Sequence, residues 1–546
     1  MTSNRRLTYL DSVQDDRCRR YLTPKRVVDS QDAEGVEKLI GSSERQAFFN
    51  GVSRNCVLKP GGWMMLDFGI ELNGGIRLTI APCDGGVNIR IRFGESVSEI
   101  CGQPSNDHTI HDGIYHVAGM GMTEIGNTGF RFVRIDLPEN AEKSLPLIGI
   151  QAVAIYRDLE YVGNFKCSDK RLNQIWETAA YTVHLNMQDY IYDGIKRDRM
   201  VFMGDLHPEI KVIMAVFDDN KIVPDSLDFL RDRTPLPLVM NDISSYSCWW
   251  IIAQYDWYWH CGDLTYLRQQ KDYLLVLLKQ FSGYIGNDGA EQLPGRRFLD
   301  WPSQVSPEAT HAGLQGLMFW TMNCGEKLCR YLNEPVTAEL CRIAASRLRQ
   351  HCPDAAGYKQ AAAIQAVSGL ADAVKINSNV LSVNPLEGLS TFLGYYTLQA
   401  RAMAGDHAGA LEVIRRYWGA MLDFGATTFW EDFDLRWTES AFRIDELPVP
   451  GKKDIHADFG NYCYKGLRHS LCHGWAGGPA AWMIEHLAGV KILEAGAKTV
   501  EVKPNLTGLD WLEGSFPTPC GPVKVTVEKG KKAEIIKPEG ITVLLQ

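Results

Sequence analysis

The chain has 546 residues, 45% hydrophobic and 23% charged, a globular composition that excludes disordered and collagen-like classes. At about 150 residues per domain it has room for roughly three or four domains. Its 66 acidic residues against 57 basic give a net charge of −9, the wrong sign for a protein that binds nucleic acid by neutralising phosphates.

Residues 1–55 are polar and irregular and read as an N-terminal arm. Over 56–160 the pattern becomes short segments of period two, at 63–68, 76–80, 87–93, 130–135 and 148–156, with Gly61-Gly62, Gly74-Gly75 and Gly85-Gly86 as turns. Strands at such spacing predict a β-sandwich of jelly-roll type. From 161 to 488 the period is helical. Ser168 is a candidate N-cap for a helix carrying Leu172, Ile175 and Trp176 on one face. Further helices are expected over 208–217, 247–261, 264–284, 311–331, 336–350, 389–404, 407–418 and 478–487. Ten to twelve such segments without a repeat period suit an α/α toroid of paired helices better than a bundle or solenoid. Strands return at 499–502, 523–527 and 541–545, a small C-terminal β-sandwich over 489–546. The expected architecture is therefore multidomain, a central (α/α)6 barrel flanked by N-terminal and C-terminal β-sandwich domains.

No run approaches about 18 apolar residues, so no membrane span is expected. The 14 cysteines are scattered, with no CxxC pair and no zinc spacing. Arg5 and Arg6 are not followed by an apolar segment, so no secretory signal is read. A cytoplasmic location is expected, or a periplasmic one after removal of a signal peptide.

Four segments could carry chemistry. The stretch 192–209 places Asp193, Asp198 and Asp205 among Lys196, Arg197 and Arg199, in a loop that ends at Pro208, read as the opening of the next helix. A solvated, self-neutralising charge run would explain it, but flanking Ile191, Val201, Phe202 and Met203 argue for burial, and buried acids need partners. The stretch 425–439 sets Glu431 and Asp432 between Trp430 and Phe433; acids among aromatics have raised pKa values or accept strong hydrogen bonds, unless they simply point outward. The stretch 468–479 holds His469, Cys472, His473 and Trp475 before a Gly-rich helix start. Cys472-His473 without a second ligand pair does not make a zinc centre, and no Ser or Cys occupies a nucleophile elbow. Lastly, Asp300-Trp301 puts an acid beside an indole. Two separate acid loops in an aromatic-rich toroid fit inverting glycoside hydrolysis, in which one carboxylic acid protonates the leaving oxygen and a distant carboxylate activates water.

These segments together resemble the α-L-rhamnosidases of glycoside hydrolase family 78. The most specific motif is Asp193, three variable residues, Arg197, Asp198, then Gly204-Asp205. Residues 426–431 look like the family's general-base segment, 471–475 like its sugar-binding His segment, Asp300-Trp301 like its Asp-Trp pair, and 504–506 with 513–519 like its closing domain. The resemblance implies cleavage of terminal α-L-rhamnose with inversion; with two acid loops and no metal-ligand cluster in the sequence, no cofactor or metal is expected. Asp198 would be general acid and Glu431 general base, with Asp193, Arg197, Asp205, Asp300, Trp301, Trp430, His473 and Trp475 binding the sugar. The chain departs from better-known members in carrying Asp rather than the longer Glu at the acid position. The partner expected is a rhamnose-containing glycoside or oligosaccharide. A catalytically inactive carbohydrate-binding homologue, or another α/α-toroid glycosidase or lyase acting on uronate-containing glycans, is the alternative.

Overall fold

The computed structural model describes residues 15–41, 46–48, 55–102, 111–217, 221–460 and 464–546. Its N-terminal part is one seven-stranded sheet of β1 (Arg17–Leu22), β2 (Arg26–Glu34), β3 (Cys56–Ile80), β4 (Val87–Gly94), β5 (His111–Val117), β6 (Gly121–Asp136) and β7 (Leu145–Arg157), in the order β1-β7-β3-β6-β4-β5 with β2 paired to β3. Alternate side chains such as Leu66, Phe68, Ile76, Leu78, Ile89, Ile91, Phe130 and Ile150 form its buried core.

Two expectations change here. The arm expected over 1–55 contributes two strands where it is described: β1 pairs antiparallel with β7, Arg17 opposite Arg157, and β2 with β3. Residues 1–14, 42–45 and 49–54 of that arm lie outside the described residues. The arginines of β1 keep a half-exposed edge wet, so no apolar alternation marks it. The pairs Gly61-Gly62 and Gly74-Gly75, expected as turns, lie inside the single 25-residue strand β3. A Cβ on Gly74, at φ 142°, would meet the Val153 carbonyl oxygen at 1.9 Å, so glycine there lets β7 approach while the β6 register shifts. Gly85-Gly86 does sit in a turn, before β4.

The helical part follows. After the five-residue α1 (Val97–Cys101), which lies within the sheet region, come α2 (Lys170–Asn186), α3 (Met203–Val216), α4 (Ile222–Arg233), α5 (Ser244–Cys261), α6 (Leu264–Ser282), α7 (Pro307–Tyr331) and α8 (Pro335–Leu348). Then come α9 (Lys359–Ser368), α10 (Ala373–Ile376), α11 (Gly394–Met403) and α12 (His407–Val413), which runs through a π-helical turn into α13 (Gly419–Asp423), and α14 (Pro479–Met483). Asp169, not Ser168, caps α2, its carboxylate accepting from the Arg171 and Leu172 amides. Helix α3 starts five residues before the expected Pro208, which is embedded in it, so Gly204 and Asp205 sit on a first helical turn rather than in the loop.

Between α13 and α14 the chain is irregular, with the short parallel pair β9 (Ala441–Phe442) and β10 (Lys453–Asp454). Beyond α14, β11 (Val490–Ile492), β12 (Thr499–Val502) and β16 (Thr542–Leu545) make one sheet; β13 (Trp511–Phe516), β14 (Val523–Glu528) and β15 (Glu534–Ile536) make another. That second sheet recruits β8 (Asn164–Cys167), which precedes the helices in sequence and pairs antiparallel with β13. The entry strand of the helical part thus belongs to the C-terminal sheet.

The N-terminal sheet leans on the helical loops. Gly129 donates to the Ile195 carbonyl (3.0 Å), Arg131 Nη1 to the Gly425 carbonyl (2.8 Å), the Glu71 amide to Thr427 Oγ1 (2.9 Å), and the Val97 amide to the Ile444 carbonyl (2.8 Å). The two acid loops are therefore seated against the sheet region. The far end of α5 meets the C-terminal sheets, Trp259 Nε1 donating to the Ile492 carbonyl (3.2 Å). Among the described residues, no helix is long and apolar enough to cross a membrane.

Candidate active site

The 192–202 loop is not solvated. Asp193, Lys196 and Arg197 are buried, and only Asp198 among its acids keeps an open face, its side chain 27% exposed. Asp193 holds the loop's shape: its two carboxylate oxygens accept from the Met200 amide (2.9 Å) and the Asp198 amide (3.2 Å). Its own carbonyl accepts from the Gly474 amide (2.9 Å), tying the loop to the His473 segment. Burial pushes the Asp193 carboxyl up to about 6.

Arg197 joins the two acids expected to act. Its Nη1 lies 3.2 Å from Asp198 Oδ1 and its Nη2 donates to Glu431 Oε2, while Nε donates to the Arg468 carbonyl (2.8 Å). The guanidinium also stacks on the Tyr464 ring, 4.0 Å from its centroid, a ring that Arg468 flanks at 4.1 Å. Five donors in one rigid plane let a single arginine serve both carboxylates and a carbonyl.

Glu431 is buried, and its Oε2 and main chain are held by hydrogen bonds. Its Oε2 also accepts from the Ser470 amide (3.2 Å), and its main chain is fixed by its amide donating to the Ser470 carbonyl (3.0 Å). Its carbonyl accepts from Thr391 Oγ1 (2.6 Å) and Trp475 Nε1 (3.0 Å). Burial raises its carboxyl above the ordinary value, against the opposing pull of Arg197. Trp475 itself stacks on Phe392 with centroids 4.7 Å apart, so its indole forms a fixed wall behind Glu431.

His473 Nε2 lies 3.0 Å from Asp205 Oδ1, and its ring packs on Trp475 at 4.4 Å. Asp205 is fully buried on the first turn of α3, and burial drives its carboxyl well above the usual range. Asp300 is buried too, pushed up to about 7, and its oxygens accept from the Trp301 amide (2.7 Å), Ser390 Oγ and the Leu393 amide (3.2 Å). It thereby fixes the Trp301 loop. Trp301 is half-buried and stands edge-on to Tyr464 at 6.2 Å. Trp301 thus reaches Arg197 through the shared Tyr464, and so the Asp198–Glu431 pair.

The buried nitrogens Trp301 Nε1, Trp430 Nε1, His469 Nδ1 and His473 Nδ1 in these loops have no hydrogen-bond partner among the described residues. Orphaned buried polar atoms need a partner, and a ligand rich in hydroxyls supplies one. The ten site residues expected from the sequence lie in segments that hydrogen bonds and ring contacts connect, Asp205 on the first turn of α3 and Trp475 on a 3-10 turn, although Trp430 is placed only through its neighbours Phe433 and His469.

Sequence reasoning missed Tyr464, which carries no motif, and Glu209. Glu209 is completely buried beside Gly474, with neither carboxylate oxygen paired among the described residues, and burial together with Asp205 and Asp193 keeps its carboxyl well above the ordinary range. A Cβ on Gly474 would fall 1.2 Å from Glu209 Oε1, which explains a glycine directly after His473.

Among the described residues one trio, Glu95, Glu99 and His456, has ligand atoms close enough for a metal. That space already holds a cation: Lys196 Nζ lies 2.9 Å from Glu95 and 3.1 Å from Glu99. Both His456 nitrogens are engaged, Nδ1 with Ser96 Oγ (2.7 Å) and Nε2 with the His469 carbonyl (2.8 Å). The donor set therefore does not fit a metal.

Residues 160–325 match the family described as the bacterial α-L-rhamnosidase 6 hairpin glycosidase domain. That range spans Asp193 to Trp301 and ends before Glu431 and His473. Over that range the chain is similar to a six-hairpin glycosidase domain. Solved structures similar in fold to this chain include α-L-rhamnosidases, which the sequence motifs also resemble. A family 78 rhamnosidase of Bacillus sp. GL1 superposes with a TM-score of 0.73 at 22% identity, over 89% of this chain and 53% of that one. The rhamnosidase from Klebsiella oxytoca, solved with rhamnose bound, gives 0.68 at 20% identity over 86% and 96%. The Streptomyces avermitilis α-L-rhamnosidase complexed with L-rhamnose gives 0.70 at 16% over 89% and 48%. The chain thus spans about half the length of the Bacillus and Streptomyces proteins and nearly all of the Klebsiella one. No curated protein matches the sequence.

Proposed function

We propose that the protein is an inverting glycoside hydrolase that releases terminal α-L-rhamnose from rhamnosides. The observation that carries this reading is the Arg197 guanidinium set between Asp198 and Glu431, one carboxylate on each terminal nitrogen. A guanidinium set between the two carboxyls is compatible with a water between base and anomeric carbon, for which inversion needs a separation of roughly 6.5–9.5 Å. The helices then pair into an (α/α)6 barrel, with the acid loops at its mouth and β-sandwiches on either side.

In this reading Asp198, the open acid, protonates the glycosidic oxygen as the bond to the anomeric carbon breaks. Glu431, whose burial strengthens it as a base, takes a proton from the water attacking the opposite face. Arg197 opposes the effect of burial by favouring the ionised form of Glu431, and it fixes both side chains. The Trp301 and Tyr464 rings offer apolar faces to the sugar, whose hydroxyls satisfy the free indole and imidazole nitrogens. Asp193, Asp205 and Asp300 fix this wall and hold His473 and Trp301 toward the sugar.

A panel of nitrophenyl glycosides tests the reading. The α-L-rhamnoside is expected to be hydrolysed, the other sugars far more slowly, and EDTA is expected to leave the rate unchanged because Lys196 supplies the only cation of the Glu95–Glu99–His456 group. Rhamnose binding without turnover would identify a non-catalytic binding protein instead, and a strict metal requirement would contradict the account.

A further inference from the structure

We propose that Glu95, a residue of the N-terminal sheet region, is a positioning residue that sets the two halves of the site against each other; this rests on the rhamnosidase reading for its catalytic consequence. Glu95 follows β4 and immediately precedes Ser96, whose hydroxyl accepts from the Glu99 amide (3.1 Å) and caps α1, while Glu99 Oε2 accepts from the Glu95 amide (2.7 Å). The S-x-x-E pattern thus locks the segment that presents both carboxylates.

One oxygen of Glu95 does two things. Its Oε2 accepts from the Leu471 amide (2.8 Å), two residues before His473, and pairs with Lys196 Nζ (2.9 Å), which directly precedes Arg197 and Asp198 in sequence. Lys196 Nζ also reaches Glu99 (3.1 Å) and the Leu467 carbonyl (3.2 Å), so all three ammonium protons have acceptors. The Lys196, Glu95 and Glu99 side chains are completely buried.

A parallel route runs from the same segment to Glu431. Ser96 Oγ meets His456 Nδ1, His456 Nε2 meets the His469 carbonyl, and His469 Nε2 accepts from the amide of Asp432 (2.9 Å), the neighbour of Glu431. The acid-bearing loop and the base-bearing loop, more than 230 residues apart in sequence, are therefore referenced to one short stretch of another domain. Glu99 touches only the first loop. Glu95 also touches the 471 segment, where the Ser470 amide donates to Glu431, so its one carboxylate ties the acid-bearing loop to the segment that backs the base.

The test compares wild type with Glu95→Gln, Glu95→Asp and Glu99→Gln by amide hydrogen exchange and by kinetics on a nitrophenyl α-L-rhamnoside. Glu95→Gln is expected to speed exchange about tenfold in both 193–200 and 466–475. It is also expected to lower kcat on the order of 10²-fold with KM little changed, the cost of an approximately 1 Å misplacement. Glu95→Asp keeps the charge but shortens the reach; it is expected to show the same pattern more mildly, and it decides the matter if Glu95→Gln does not fold. Glu99→Gln is expected to loosen 193–200 alone. Wild-type exchange in both segments of the Glu95 variants, or equal loosening of both by Glu99→Gln, overturns the proposal. If the wild type hydrolyses no rhamnoside, the functional reading falls, and the exchange pattern still decides whether Glu95 couples the two loops.

Discussion

Glu431→Gln is expected to lower turnover of both nitrophenyl and natural α-L-rhamnosides by similar factors, on the order of 10²–10⁴. Both substrates need the attacking water activated, whatever the leaving group. The substitution keeps the volume of the side chain and an oxygen that can still accept from Arg197 and the Ser470 amide, so the loss reads as chemistry rather than unfolding. The natural control is Glu439, which also lies near a tryptophan in sequence but is exposed, on an open surface depression with Arg415 and Arg436. Glu439→Gln is expected to leave kcat/KM within about twofold of wild type, as surface substitutions remote from such features do. Steady-state kinetics of the two variants on the two substrates check this. A Glu431→Gln enzyme with intact turnover would remove Glu431 from the base role.

Asp198→Asn is expected to divide the substrates instead. A nitrophenolate departs with little protonation, so loss of the proton donor costs little there, whereas an alkoxide leaving group needs it, and turnover of a natural glycoside is expected to fall on the order of 10²–10⁴-fold. The geometry favours Asp198 over its neighbours. Asp193 is buried with both oxygens accepting backbone amides, and Asp205 is buried against His473; neither offers an open proton to a leaving group. An equal loss on both substrates would mean that the substitution disturbs Arg197, and through it Glu431, rather than removing the acid.

Much of this arrangement was legible in the residues, for specific reasons. Helices with a clear apolar stripe, such as α6 and α7, were readable to within a few residues at their ends. Helix α9, built from Ala361, Ala362, Ala363 and Ile364, is buried all round and left no stripe to read. Helix α3 was misjudged at its start because Pro208 is normally a first-turn residue, yet here it sits in the second turn. Strand β8 was invisible because four residues carry too little pattern, and its partner lies more than 340 residues away. In the site, the acids announced themselves by lying among aromatics and arginines. What joins them did not: Tyr464 has no motif, and Lys196 looked like part of a solvated run until its pairing with Glu95 and Glu99, which only the folded chain brings together, removed it from water.

The central claim, inverting hydrolysis of an α-L-rhamnoside by the Asp198–Glu431 pair, is tested most directly by following the anomeric proton of the released sugar by NMR in the first minutes of the wild-type reaction. The account predicts that β-L-rhamnose forms first and then mutarotates toward equilibrium. Initial release of α-L-rhamnose would contradict it, since retention requires a covalent intermediate and carboxyls only about 5–5.5 Å apart.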